Sequence, residues 1–136
     1  LSGDHVLPTI TPHIAGVGNQ PDPLKEFFTS LDKVAGLDGV RYVLPAHGTP
    51  FHDLQHRVEH IKVHHEERLQ MLRKASSEMG RAATVNEMMK HLFSERAWGP
   101  MAESETYAHL EHLRIAGEAR TEWQGSLLAF EIPAAR

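Results

Sequence analysis

Val43-Leu44-Pro45-Ala46-His47-Gly48 is a short apolar run that stops on a proline and sets a histidine beside a glycine. Val40 to Leu44 has the β-branched and apolar content of a strand, and Pro45 cannot extend a ladder. The run therefore predicts a strand end with His47 on the turn behind it. Towards the N-terminus, Leu1-Ser2-Gly3-Asp4-His5-Val6-Leu7 reads as a second short strand broken by Pro8, with Gly3 allowing close backbone approach beside a carboxylate. Asp4 and His47 are then a hard and a borderline metal ligand on two strand ends, a rigid placement suited to a metal ion. On spacing alone, a turn aspartate and a surface histidine are the commoner assignment.

The bulk composition sets the bounds. A chain of 136 residues with 40% hydrophobic and 24% charged residues can bury one core, or a partial domain plus a small complete one. No apolar run reaches the ~18 residues of a membrane span, and no targeting segment is visible. A formal charge of -4 offers no general attraction to nucleic acid or anionic membrane. With no cysteine, any metal site must use His, Asp, Glu or water, and eleven histidines supply candidates. The chain opens on Leu1 within a strand edge and is expected to be a piece of a longer protein in the cytoplasm.

Between the two strand ends, residues 8–21 carry too many prolines and glycines for a regular element. Asp22-Pro23 is a helix start, Leu24, Phe27, Phe28, Leu31, Val34 and Ala35 recur at helical spacing, and Gly36 is a stop. Strand, loop, helix, strand makes a layered α/β fragment over residues 1–52. Its apolar helix face, with Phe27 and Phe28, needs a cover, by self-association or by a missing part of the fold. A long helix from about Asp53 to Met79, closed by Gly80, is expected to connect two domains over residues 53–80. Residues 81–136 read as a small α+β domain. Thr84 and Glu87 form a capping box, and Ser104 is expected to cap a helix that turns Tyr107, Leu110, Leu113 and Ala116 inward. A hairpin over Thr121 to Ser126 and Leu128 to Ile132 follows, an order resembling a winged helix.

Taken together, Ser2-Gly3-Asp4-His5-Val6-Leu7-Pro8, the amphipathic helix, Val43-Leu44-Pro45-Ala46-His47-Gly48-Thr49-Pro50, and a helix with His64, His65 and Arg68 resemble the C-terminal half of a metallo-β-lactamase-fold hydrolase. The resemblance is to the glyoxalase-II-like and endoribonuclease-like branch with a winged-helix extension, and covers nearly the whole chain. It implies the C-terminal part of an αββα fold, a long helix and a winged-helix-like domain. It also implies that Asp4 bridges two divalent ions and that His47 ligates the second. The ions would be zinc, or iron or manganese, holding a hydroxide that attacks an ester, thioester, amide or phosphodiester. The family's His-x-His-x-Asp-His segment is absent from this sequence. The chain alone is therefore expected to be inactive, without a stoichiometric metal pair, and to need the missing N-terminal half.

Further candidates surround this pair. His13, in the loop after the first strand, and His5, next to Asp4, are pocket candidates, His5 being the more suited to a packed position. His64, His65 and Arg68 are candidates for supporting the ligands. His52, His56, His60 and His64 recur every four residues and read chiefly as a polar helix face. Residues 81–136 hold six Lys or Arg against eight Asp or Glu, and the helix Glu105 to Ala116 offers only Arg114 as a full cation, which disfavours duplex binding. Trp98 and Trp123 are contact or core residues. The competing class is a non-enzymatic winged-helix module binding a partner protein or nucleic acid. A small-molecule substrate follows from the hydrolase assignment.

Overall fold

The computed structural model describes residues 1–16 and 18–135. Helix α1 (Pro23–Ala35) begins where the sequence predicts. Asp22 Oδ1 accepts from the Lys25 N–H at 3.0 Å, and Pro23 occupies the first turn, where a missing N–H costs nothing. Leu24 and Leu31 are fully buried, while Phe27 and Phe28 are half-buried and pack edge-on against His65, with Phe28 also against His112. At these two phenylalanines the expected apolar face is thus covered from within the chain.

Helix α2 (Leu54–Met79) is capped by Asp53, whose side chain accepts from the His56 N–H at 3.2 Å, and ends at Gly80 in the left-handed region (φ 62°). At about 1.5 Å per residue it runs roughly 40 Å. It belongs to two cores. Leu54, Val58 and Ile61 join Val6, Leu31 and Val43. Leu69, Leu72 and Ala75 join Met88, Leu110, Leu113 and Phe130. One apolar stripe therefore serves both ends of the molecule, and shortening it would expose one core.

The C-terminal part comprises β1 (Ala83–Thr84), α3 (Val85–Leu92), a 3-10 turn (Glu95–Ala97), α4 (Pro100–Ile115), β2 (Arg120–Gln124) and β3 (Leu127–Glu131). The capping box forms as expected: Thr84 N–H donates to Glu87 Oε2 at 2.9 Å, and Glu87 N–H to Thr84 Oγ1 at 3.3 Å. The strands make an antiparallel sheet in the order β1-β3-β2, with Ala83 opposite Phe130 and Gln124 opposite Leu127. Gly125 (φ 64°) makes the two-residue hairpin turn. Ala129 and Phe130 are buried under the helices, whereas Trp123 on β2 is exposed and Trp98 is partly so, donating to the Phe93 carbonyl at 3.0 Å.

Three local expectations are corrected. Ser104 does not cap α4, which starts a turn earlier at Gly99-Pro100. The Ser104 hydroxyl instead accepts from the Gly16 N–H at 2.9 Å, because proline favours the first helical turn regardless of the serine that follows. Ala116, expected inward, is exposed at the C-cap. The segments 1–7 and 40–44 are not full strands. Gly3 and Pro45 make one parallel bridge, with Ser2 N–H donating to Leu44 O and Ala46 N–H to Gly3 O, both at 2.9 Å, and Val43 bridges Phe51 antiparallel. Parallel strands are sustained by neighbours on both sides, and each segment here has few. No helix among the described residues is long and apolar enough to cross a membrane.

Candidate metal centre

The parallel bridge at Gly3 and Pro45 places the turn after each segment side by side. His47 Nδ1 lies 2.6 Å from Asp4 Oδ1, with the two side chains 73% and 60% exposed. Gly48 helps set this turn: its φ is 88°, and a Cβ there would stand 2.6 Å from Pro8 Cγ, so the histidine turn rests on the proline that ends the Asp4 segment. The two predicted ligands are therefore brought together. One carboxylate and one imidazole have the donor chemistry of a divalent-metal site, but zinc takes about four ligands. Among the described residues no third His, Asp or Glu joins this pair in a three-donor group.

The other predicted site residues lie elsewhere. His5 turns to α1, where its Nε2 is 2.7 Å from Ser30 Oγ and its ring meets Phe27 edge-on; burial lowers its pKa. His13 Nδ1 lies 3.4 Å from Glu105 Oε2, and the other Glu105 oxygen accepts from Arg68 Nη1. The Glu105 and Arg68 side chains are only 9% and 15% exposed. His13, Glu105 and Arg68 thus tie the loop, α4 and α2 into one polar chain, with the Arg68 guanidinium also lying over the Phe93 ring at 4.5 Å.

His65, on α2, is completely buried against α1 and α4. Its Nδ1 lies 3.1 Å from His109 Nε2, and His65, Glu105 and His109 offer ligand atoms within 4.8 Å of one another. This His-Glu-His group has metal-type donors in its own right. In the present geometry His65 Nδ1 and His109 Nε2 are engaged with each other, His109 Nδ1 with the Glu105 carbonyl, and the carboxylate with Arg68 and His13, while His65 Nε2 has no hydrogen-bond partner among the described residues. A cation placed there would face the Arg68 charge. Burial is the main cause that lowers the His65 pKa to about 3 and that of His109 to about 4, so both rings are neutral at neutral pH. Glu105 and His109 escaped the sequence reading, although their i, i+4 spacing on a helix was the available signal.

Of the helical histidine stripe, the His52 ring packs at a tilt against Tyr42 and its Nδ1 lies 3.0 Å from the Arg41 carbonyl oxygen, and His56 packs at a tilt against His60. His60 and His64 instead line a groove with Arg57 and Arg68. Helix α4, whose charge disfavours duplex binding, has eight buried residues, and its Arg114 is bonded to Glu111.

Solved structures share this fold. A beta-lactamase domain protein from Burkholderia ambifaria superposes with a TM-score of 0.84 at 29% identity, over 96% of this chain and 40% of that one. A metallo-beta-lactamase family protein from Thermus thermophilus superposes with a TM-score of 0.81 at 32% identity, over 98% of this chain and 41% of that one. This chain therefore spans about two fifths of the length of each. No family model and no curated protein sequence matches it. Its fold, over nearly its whole length and at these identities, makes the chain a C-terminal part of a metallo-β-lactamase-fold protein.

Proposed function

We propose that the parent protein is a metal-dependent hydrolase in which Asp4 and His47 supply two of the ligands of a dinuclear centre. The observation that carries this reading is the 2.6 Å approach of Asp4 to His47, two residues on separate turns that meet only because the backbone bridges at Gly3 and Pro45. Bound divalent ions supply Lewis acidity and lower the pKa of water, enabling attack on an ester, thioester, amide or phosphodiester. What these residues contribute is position: the bridge sets the carboxylate, and the Gly48 turn, leaning on Pro8, sets the imidazole. The carboxylate has two oxygens able to face two ions. In this reading the remaining ligands belong to the rest of the parent, no third donor joins the pair among the described residues, and this chain alone is inactive.

The finer architecture belongs to the same proposal. Residues 1–52 form a part of the catalytic domain, 53–80 the connecting helix and 81–136 a winged-helix-like domain, supported by the order β1, α3, α4, β2, β3 and by the hairpin. The burial of α4 speaks against its entering a nucleic-acid groove, which favours the hydrolase over an interaction module.

In the full-length parent, Asp4→Ala is expected to lower bound metal and abolish turnover. In this chain alone, where the pair is exposed, the same substitution should change stability by less than about 1 kcal/mol. Metal content and rate that stay near wild type would remove Asp4 from the centre.

A further inference from the structure

Arg57, His60, His64 and Arg68 follow one another on α2 at intervals of three, four and four residues, so they share one face of the helix. With Thr9 and Thr11 they line an open groove of about 450 Å³ against the loop that follows Asp4. Arg57 builds this wall. Its Nε donates to the Leu7 carbonyl at 2.5 Å and its Nη2 to the Ile10 carbonyl at 2.9 Å.

Both acceptors are neutral, and no carboxylate among the described residues forms an ion pair with Arg57. A guanidinium has five N–H groups, and two are engaged by the loop, leaving three for a ligand. Arg68 differs, because Glu105 compensates its charge. Eleven residues at about 1.5 Å each separate the two arginines by roughly 16 Å along the axis. With Arg68 paired to Glu105, Arg57 holds the uncompensated charge of the groove.

His64 also lines the groove, although its unpartnered Nε2 is buried away from solvent. Burial and then the Arg68 charge lower its pKa, with Glu67 opposing and Arg57 adding to the lowering. Exposed His60 and the two threonine hydroxyls complete a set of donors with little competing carboxylate.

We propose that this groove binds an oxyanion, the phosphate or carboxylate group of the ligand, through Arg57, His60 and the Thr9 and Thr11 hydroxyls. Arginine suits this task because its planar fork matches the paired oxygens of both groups. That the oxyanion belongs to the hydrolysed substrate rests on the function proposed above; the binding itself requires no metal.

The test is a ¹H–¹⁵N NMR titration of the chain, freed of divalent ions by chelation, with inorganic phosphate, with acetate, and with chloride at matched ionic strength. Saturable shifts are expected at the amides of residues 9–11 and at the Arg57 Nε–H. Arg57→Gln and His60→Glu should each weaken binding about tenfold. His60→Glu guards against misfolding, since its ring is exposed and touches chiefly that of His56. Tighter phosphate assigns a phosphoryl ligand, and tighter acetate a carboxylate. Shifts that chloride reproduces, or binding indifferent to both variants, overturn the proposal. Asp4→Ala should leave this binding intact, so failure of the groove and failure of the metal centre are read separately.

Discussion

His65 Nδ1 lies 3.1 Å from His109 Nε2, and this hydrogen bond determines where the proton sits on both rings. His109 Nδ1 is 2.8 Å from the Glu105 backbone carbonyl, which can only accept, so Nδ1 carries the proton and Nε2 is the acceptor. His65 must then donate from Nδ1, leaving its own buried Nε2 without a partner among the described residues. The pair joins α2 to α4 across 44 positions of sequence and requires a neutral His109, because a protonated Nε2 cannot accept, while burial of both rings opposes charging either one.

That constraint predicts a pH dependence. Both pKa values, about 3 for His65 and about 4 for His109, lie below the ordinary histidine value. The unfolded chain therefore takes up protons before the folded one does. The pair's contribution is full above about pH 6.5 and is lost as the pH falls towards the two folded values. Urea unfolding should show stability declining through that window. His65→Leu/His109→Leu should flatten the slope without abolishing it, because burial also lowers the pKa of His5 and His64. At neutral pH, His109→Leu alone strands the His65 donor and should cost about 1–3 kcal/mol, with the double variant costing less than the two singles combined. An unchanged slope in the double variant would refute this account.

Glu105 is the hinge of a second polar chain, accepting from Arg68 and approaching His13. Glu105→Gln leaves a largely buried guanidinium without its counter-charge. A loss of about 3 kcal/mol is expected in urea melts, partly recovered by adding Arg68→Met. The His13 ring resonance should shift as well, since the loop loses its anchor. A variant as stable as wild type would show that Arg68 finds solvent or another partner.

Gly16 seats the loop on α4 by steric necessity. A Cβ there would collide with the Ser104 backbone carbonyl and stand 2.8 Å from Tyr107 Cδ1 and 2.9 Å from the Ala108 nitrogen. Helix backbone cannot yield, so the loop must lift and give up the Gly16 to Ser104 hydrogen bond. Gly16→Ala should destabilise the chain by about 1–3 kcal/mol and speed protease cleavage within residues 8–21. Wild-type resistance to cleavage would mean that the loop is held elsewhere.

The features legible in the sequence are those written in adjacent residues. Asp22-Pro23, Thr84 with Glu87, and Gly80 each act through hydrogen bonds or backbone angles spanning a few positions, and each appears where its residues predict. Ser104 shows how that logic fails: a capping residue placed one turn inside a helix already started by Pro100 becomes a docking point for Gly16 instead. The two short strands failed similarly, because a strand is completed by its neighbours and not by its own residue types.

For the candidate centre, residue types and turn chemistry by themselves determined that Asp4 and His47 stand at the ends of extended segments. Only the tertiary structure decided that they meet, across 43 positions, through the Gly3 to Pro45 bridge. The same holds for His65 with His109 and for Arg57 with the Leu7 and Ile10 carbonyls, contacts that no local spacing encodes. The physical reason is that caps and turns draw on short-range hydrogen bonds, whereas these pairings depend on how α2 packs between two cores, which is set by burial summed over the whole chain.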